Sequence, residues 1–232
     1  MKSYVRLTLA LAVLCAALST ASLASSMYFV QGIAGRNYSP DTDPAFPVDV
    51  LVNDEVCYVH GLPFGTILGP LTLEPGSYNV KVSLANSLAP CSSSPLIDRT
   101  VTIEPRSDVS AVFALNDTGT PVLLTFTNNF SPVNANMGRI LLAQAAKAGP
   151  VQVILQNTAT MKSYSYTVNR GALLDVSLPA GTYSLEVKLG TTTLVGSTFL
   201  NLYSQSATLL YTVGQASNDT VVLQTRTLRD VI

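Results

Sequence analysis

A chain of 232 residues that is 47% hydrophobic and only 12% charged has ample material for a core and is not an intrinsically disordered chain. Its 13 basic and 14 acidic residues leave a net charge of −1, so the basic surplus that binds a phosphate backbone is missing and nucleic acid is excluded as a partner. The length accommodates one large β domain or two domains of about a hundred residues each.

The first segment in chain order is "MKSYVRLTLALAVLCAALSTASLA". Lys2 and Arg6 precede an apolar run from Leu7 to Leu18, and small residues follow, with Ser22 and Ala24 at the positions a signal peptidase reads. A signal peptide is expected over 1–24, the alternative being an uncleaved anchor. The apolar run is short of the ~20 residues that span a bilayer. Lipidation at Cys15 would need a small residue before it, where Leu14 stands. No later segment reaches spanning length. The mature chain is therefore expected to carry no membrane span and to be secreted, periplasmic or held at the cell envelope.

Beyond this segment the sequence is written twice. "PVDVLVND" from Pro47 returns as "PVQVILQN" from Pro150, and "LTLEPGSYNVKVSL" from Leu71 returns as "VSLPAGTYSLEVKL" from Val176. "VSAVFALNDTGTPVLLTF" from Val109 returns as "ATLLYTVGQASNDTVVLQT" from Ala207. Three matches in one order predict two tandem repeats, 27–131 and 132–232, joined through "TNNFSPVNANMG". Apolar and polar residues alternate at period two in "VDVLVND", "RTVTIEP" and "DVSAVFAL", and turn signals such as "NDE", "EPG" and "NDTG" separate the runs. Strands are predicted throughout. "GRILLAQAAKAG" has helix-favouring Ala, Leu, Gln and Lys, but its counterpart "MYFVQGIAG" favours strand, and the repeat decides for strand.

The most similar pair, at Leu71 and Val176, reads as a duplicated hairpin. Tyr78, Val80, Val82 and Leu84 share one face, as do Tyr183, Leu185, Val187 and Leu189, while the polar faces differ. Gly76 and Gly181 close the loops, where a three-residue hairpin needs a positive φ. What the copies share is the buried face and the turn, so the repetition marks a fold and not a ligand motif.

Few side chains offer chemistry. Cys57 and Cys91 remain once the signal is removed, an even count that predicts one disulfide in an oxidising compartment, with two separate thiols as the alternative. They are too few for a structural zinc site, and no metal or cofactor is expected. The only histidine, His60, lies three residues beyond Cys57, which on a strand sets the pair on opposite faces and argues against a Cys–His nucleophile. "RNYSPDTDPAFPVD" gathers Asn37, Asp41, Asp43 and Asp49 in or beside a loop that the second repeat lacks. These residues fit loop binding or a calcium site, or else ordinary turn chemistry. Asn37, Asn116, Asn129 and Asn218 match the glycosylation acceptor pattern but stand where turns are expected.

"YFVQGIAG", "PVDVLVND", "LPFGTILGPLTLEPGSYNVKV", "VSAVFALNDTGTPVLLTFTNN" and "LPAGTYSLEV" resemble the exported bacterial proteins of the domain of unknown function 4397 family. The resemblance implies two immunoglobulin-like β-sandwich repeats at the bacterial cell envelope or outside it, and it supplies no catalytic residues. The expectation is an all-β, non-enzymatic structural or protein-interaction module whose envelope or extracellular partner is unknown. The alternative is a small-ligand or glycan-binding module. With no Trp in the chain, sugar stacking would fall to tyrosines such as Tyr38, Tyr58, Tyr164 and Tyr166 clustered on one face.

Overall fold

β-Branched and aromatic residues on a two-residue period favour strands, and in a computed structural model, which describes residues 24–218 and 220–228, strands fill nearly every segment between turns. The predicted signal segment up to Leu23 lies outside the described residues. The first repeat contains β1 (Ser25–Gln31), a single helical turn α1 (Gly35–Tyr38), β2 (Val48–Val52), β3 (Val56–Leu62), β4 (Ile67–Leu73), β5 (Gly76–Leu84), β6 (Pro95–Ile103), β7 (Asp108–Leu115) and β8 (Pro121–Asn128). The second contains β9 (Met137–Gln144), β10 (Val151–Asn157), β11 (Ser163–Val168), β12 (Leu173–Pro179), β13 (Gly181–Leu189), β14 (Thr192–Leu202), β15 (Ala207–Val213) and β16 (Val222–Leu228). The helix-prone stretch at Gly138 is β9: tertiary pairing overrides its propensity.

The repeats are wired identically. Sheets ordered β4-β1-β7-β8 and β3-β2-β5-β6 in the first correspond to β12-β9-β15-β16 and β11-β10-β13-β14 in the second. Every pairing is antiparallel except β1 with β7 and β9 with β15. A parallel central pair is absent from the antiparallel sheets of an immunoglobulin domain.

Three cores hold these sheets. Phe29, Val50, Val82 and Phe113 lie between the two sheets of the first repeat, and Leu142, Val153, Leu185 and Leu210 between those of the second. A third core joins the repeats: Tyr28, Val30, Val112 and Phe126 pack against Leu141, Ala143, Leu209, Tyr211 and Val213. The chain is thus four sheets deep. β1, β7, β9 and β15 are buried on both faces, and burial on both faces calls for near-continuous apolar runs. At their meeting point a Cβ on Gly32 would come within 2.6 Å of the Phe113 carbonyl oxygen and 2.9 Å of Val213 Cγ1. Only glycine lets the two backbones approach there.

The duplicated stretch at Leu71 is not a hairpin. β4 pairs with β1 and β5 with β2 and β6, so the chain crosses from one sheet to the other between Leu73 and Gly76, and β12 to β13 does the same. Gly76 accordingly has no positive φ, whereas Gly181 at the second crossing has a φ of 157°. Alternation reports which face of a strand is buried, and two strands facing one core from opposite sheets alternate just as hairpin partners do. Each crossing is fastened by its tyrosine. The Tyr78 hydroxyl donates to the Glu74 carbonyl at 2.6 Å, and the Tyr183 hydroxyl to the Pro179 carbonyl at 2.7 Å. This tyrosine corner is a feature of immunoglobulin-type sandwiches.

A second duplicated device leaves no pattern in the local sequence. Gln31 and Gln144 are fully buried at the ends of β1 and β9, and each side-chain oxygen accepts from the backbone N–H two residues on, at Ile33 and Ala146. Their amides donate to the carbonyls of Phe46 and Gly149, just before β2 and β10. Each glutamine closes the sheet-to-sheet connection of its repeat, whatever that connection's length.

Candidate functional site

The copies differ most at one end of the first repeat. There the β5–β6 connection, residues 85–94, is long, whereas its counterpart in the second repeat is the tight turn at Gly190. Cys91 in this loop forms a disulfide with Cys57 on the edge strand β3, their Cα atoms 5.8 Å apart. Beside it Asp49, at the start of β2, is completely buried. Its Oδ2 accepts from the backbone N–H groups of Cys91 at 2.8 Å and Asn86 at 3.1 Å, and its Oδ1 from Gly61 N–H at 3.0 Å. His60 Nδ1 stands 2.7 Å from the same Oδ1, with nearly half of its ring surface in solvent. Burial pushes the Asp49 carboxyl up, but the N–H donors of Cys91, Gly61 and Asn86 together with His60 outweigh it and hold the carboxyl below its usual range.

The loop is also braced from within. Asn86 Oδ1 accepts from Leu88 and Ala89 N–H, and Ser92 Oγ donates to the Ala89 carbonyl at 2.7 Å. Leu88 stands at its tip with 96% of its surface exposed. The result is an apolar side chain in solvent on a backbone fixed at both flanks.

The structure does not assemble Asn37, Asp41, Asp43 and Asp49 into one ligand shell. Asp49 spends both oxygens on the contacts above. Asp43 Oδ1 accepts from Ala45 N–H in a local turn, and Asp41 is exposed. Asn37 reaches across to the second repeat, where its amide donates to Thr220 Oγ1 at 2.5 Å and its oxygen accepts from Asn218 at 2.9 Å. Among the described residues no three His, Cys, Asp or Glu side chains are placed to hold one metal ion. Cys57 is consumed by its disulfide, and His60 faces Asp49.

The tyrosines named from the sequence do not gather on one face: Tyr164 and Tyr166 share a face of β11, while Tyr38 and Tyr58 lie apart in the first repeat. Tyr38 packs on Phe46, 5.3 Å between ring centroids, and Tyr58 is exposed on β3. Tyr164 and Tyr166 lean onto the second core. Tyr164 lines a cleft of about 490 Å³ with Asn157, Thr160 and Thr182, but Lys162 Nζ lies over its ring at 5.1 Å. Asp49 appeared in the sequence as an acidic loop residue. Its role as an N–H acceptor depends on the 85–94 backbone folding around it, which no local pattern announces.

This fold and this end of the first repeat define an all-β protein of two fused sandwiches, one with a stapled loop. Residues 36–154 match the family described as "Domain of unknown function (DUF4397)", and the chain belongs to that family. The match runs from the loop before β2 across the junction into β10. No curated protein matches the chain. Among solved structures, a leucine-rich repeat protein from Bacteroides thetaiotaomicron is similar at 14% identity and a TM-score of 0.27, over 83% of this chain and 26% of that one. The Bacillus anthracis TIE protein is similar at 10% identity and a TM-score of 0.28, over 88% of this chain and 34% of that one. This chain spans about a quarter and about a third of those two proteins.

Proposed function

We propose that this is an exported, non-enzymatic protein-interaction module of the bacterial cell envelope, and that the stapled loop 85–94 makes its principal contact. Leu88 carries this reading. A large apolar side chain is 96% exposed at the tip of a loop fixed by the Cys57–Cys91 bond and the Asp49 carboxylate. Prepaying the ordering of a loop lowers the entropy lost on binding, and an apolar anchor entering a partner's pocket supplies the gain. The Cys57–Cys91 disulfide suits an oxidising compartment, and so supports export by the expected signal peptide. Tyr38 packed on Phe46, Tyr164 capped by Lys162 and Tyr166 leaning onto the second core support this reading over glycan stacking.

The test is retention of envelope proteins and of a glycan panel on immobilised protein. Wild type should hold a saturable protein partner. Leu88→Ser and the double Cys57→Ser/Cys91→Ser variant should each weaken it by about tenfold or more, as hot-spot truncation does. Saturable binding of a soluble sugar, undiminished in Leu88→Ser, would sink the proposal.

A further inference from the structure

Each repeat reaches toward the last hairpin of the other, and the two contacts are unequal. On one side the long connection 32–47 fills the space, with Asn37 bonded to Thr220 and Asn218. On the other side the corresponding connection is only residues 145–150, and a cleft of about 560 Å³ stays open between the repeats. Asp117 and Leu124 of the first repeat and Lys147, Pro150, Asn169 and Arg170 of the second line it. That volume falls in the range of small-molecule sites.

Neither cation has a counterpart in the first repeat. Gln31 and Gln144 occupy the same place in the two repeats, as do Gly65 and Gly171 with φ of 78° and 77°. Counting from these, Lys147 corresponds to Ala34 and Arg170 to Phe64, both apolar. Arg170 donates to the Leu115 carbonyl at 2.5 Å and meets Asp117 at 3.4 Å, while its Nε is buried without a hydrogen-bond partner. Asp117 is 88% exposed, so this ion pair holds little. Lys147 has no ion-pair partner among the described residues, and its Nζ lies 3.7 Å from a Cβ placed on Gly119. A long cation left unpaired beside a half-satisfied guanidinium, over the apolar floor of Leu124 and Pro150, is arranged for an anionic group.

From this asymmetry we infer that the inter-repeat cleft binds a small oxyanion-bearing ligand, with a carboxylate or phosphate group held between Lys147 and Arg170. Arg170 offers its planar fork, displacing the exposed Asp117 carboxylate, and Lys147 closes as a mobile point charge.

The experiment follows amide chemical shifts of residues 147–149 and 169–171 during titration with sodium phosphate, sodium glucuronate and, as a neutral control, glucose. Saturable shifts are expected with one or both anions and none with glucose. Saturation by phosphate alone identifies an inorganic oxyanion, and saturation by glucuronate alone a sugar acid. Lys147→Gln, whose side chain makes no bond the fold needs, should weaken binding roughly tenfold at an unchanged melting temperature. The inference is overturned if neither anion saturates by about 10 mM. It is equally overturned if Lys147→Gln binds as wild type, or if glucose shifts the same amides.

Discussion

The first and second repeats share sheet order, buried glutamines and tyrosine corners, yet only the first carries a disulfide, a buried carboxylate and the two long connections. Where a position serves the sandwich it recurs in both copies. Where it does not recur, it serves something local: Asp49 organises a loop that the second repeat lacks, and Lys147 and Arg170 line a cleft that the first repeat has filled. Duplication therefore acts as an internal control, separating the residues demanded by the fold from those added to it.

The sharpest way to break the comparison is to attack what the copies build together. Val112 is fully buried in the core between the repeats, and Val112→Asp places an unpaired carboxylate there at a cost of about 4 kcal/mol or more. Calorimetry of the wild type should show one cooperative transition for both repeats. Two separate transitions, with Val112→Asp affecting only one of them, would show the repeats to be independent.

A smaller effect belongs to the first repeat alone. Asp49→Asn turns a donor toward backbone N–H groups that now find an acceptor, a loss of about 2–3 kcal/mol by denaturant titration. The sign with pH is fixed. The folded carboxyl sits below its ordinary range, so its stabilisation is complete above the unfolded value near about pH 4 and is lost as pH falls through the folded one. The variant should lose that part of the acid limb, and an unchanged limb would remove Asp49 from the account. The smallest effect tests what is shared. Tyr78→Phe and Tyr183→Phe each give up one corner hydrogen bond, worth about 1 kcal/mol. Tyr183 is fully buried and should cost the more of the two.

Much of the fold was legible because period-two alternation and repetition are strong signals, and they placed β9 as a strand against its helix-favouring composition. The Cys57–Cys91 pairing was legible from an even count. Alternation gives the buried face of a strand but not its neighbour, so the stretch at Leu71 read as a hairpin although it crosses between sheets. "DVSAVFAL" read as alternating, yet Val109 through Leu115 are all buried. Continuous burial, and not alternation, marks the core between the repeats. Of the candidate site, His60 and Asp49 were visible as residues, but their meeting across a loop was not, because hydrogen bonds to backbone N–H leave no sequence pattern.

The parallel pairing of β1 with β7 also governs the order in which this protein comes together. Ser26 bonds Asp108, 82 residues downstream, so the first strand made cannot complete its sheet until the seventh has been synthesised. The same delay recurs between β9 and β15. Loop closure over such distances is entropically costly before any contact repays it, which places the chain among slow folders. During that interval β1 can pair with β4 on one side, but its other edge stays open until β7 arrives, and protection of that edge depends on whatever accompanies the nascent chain.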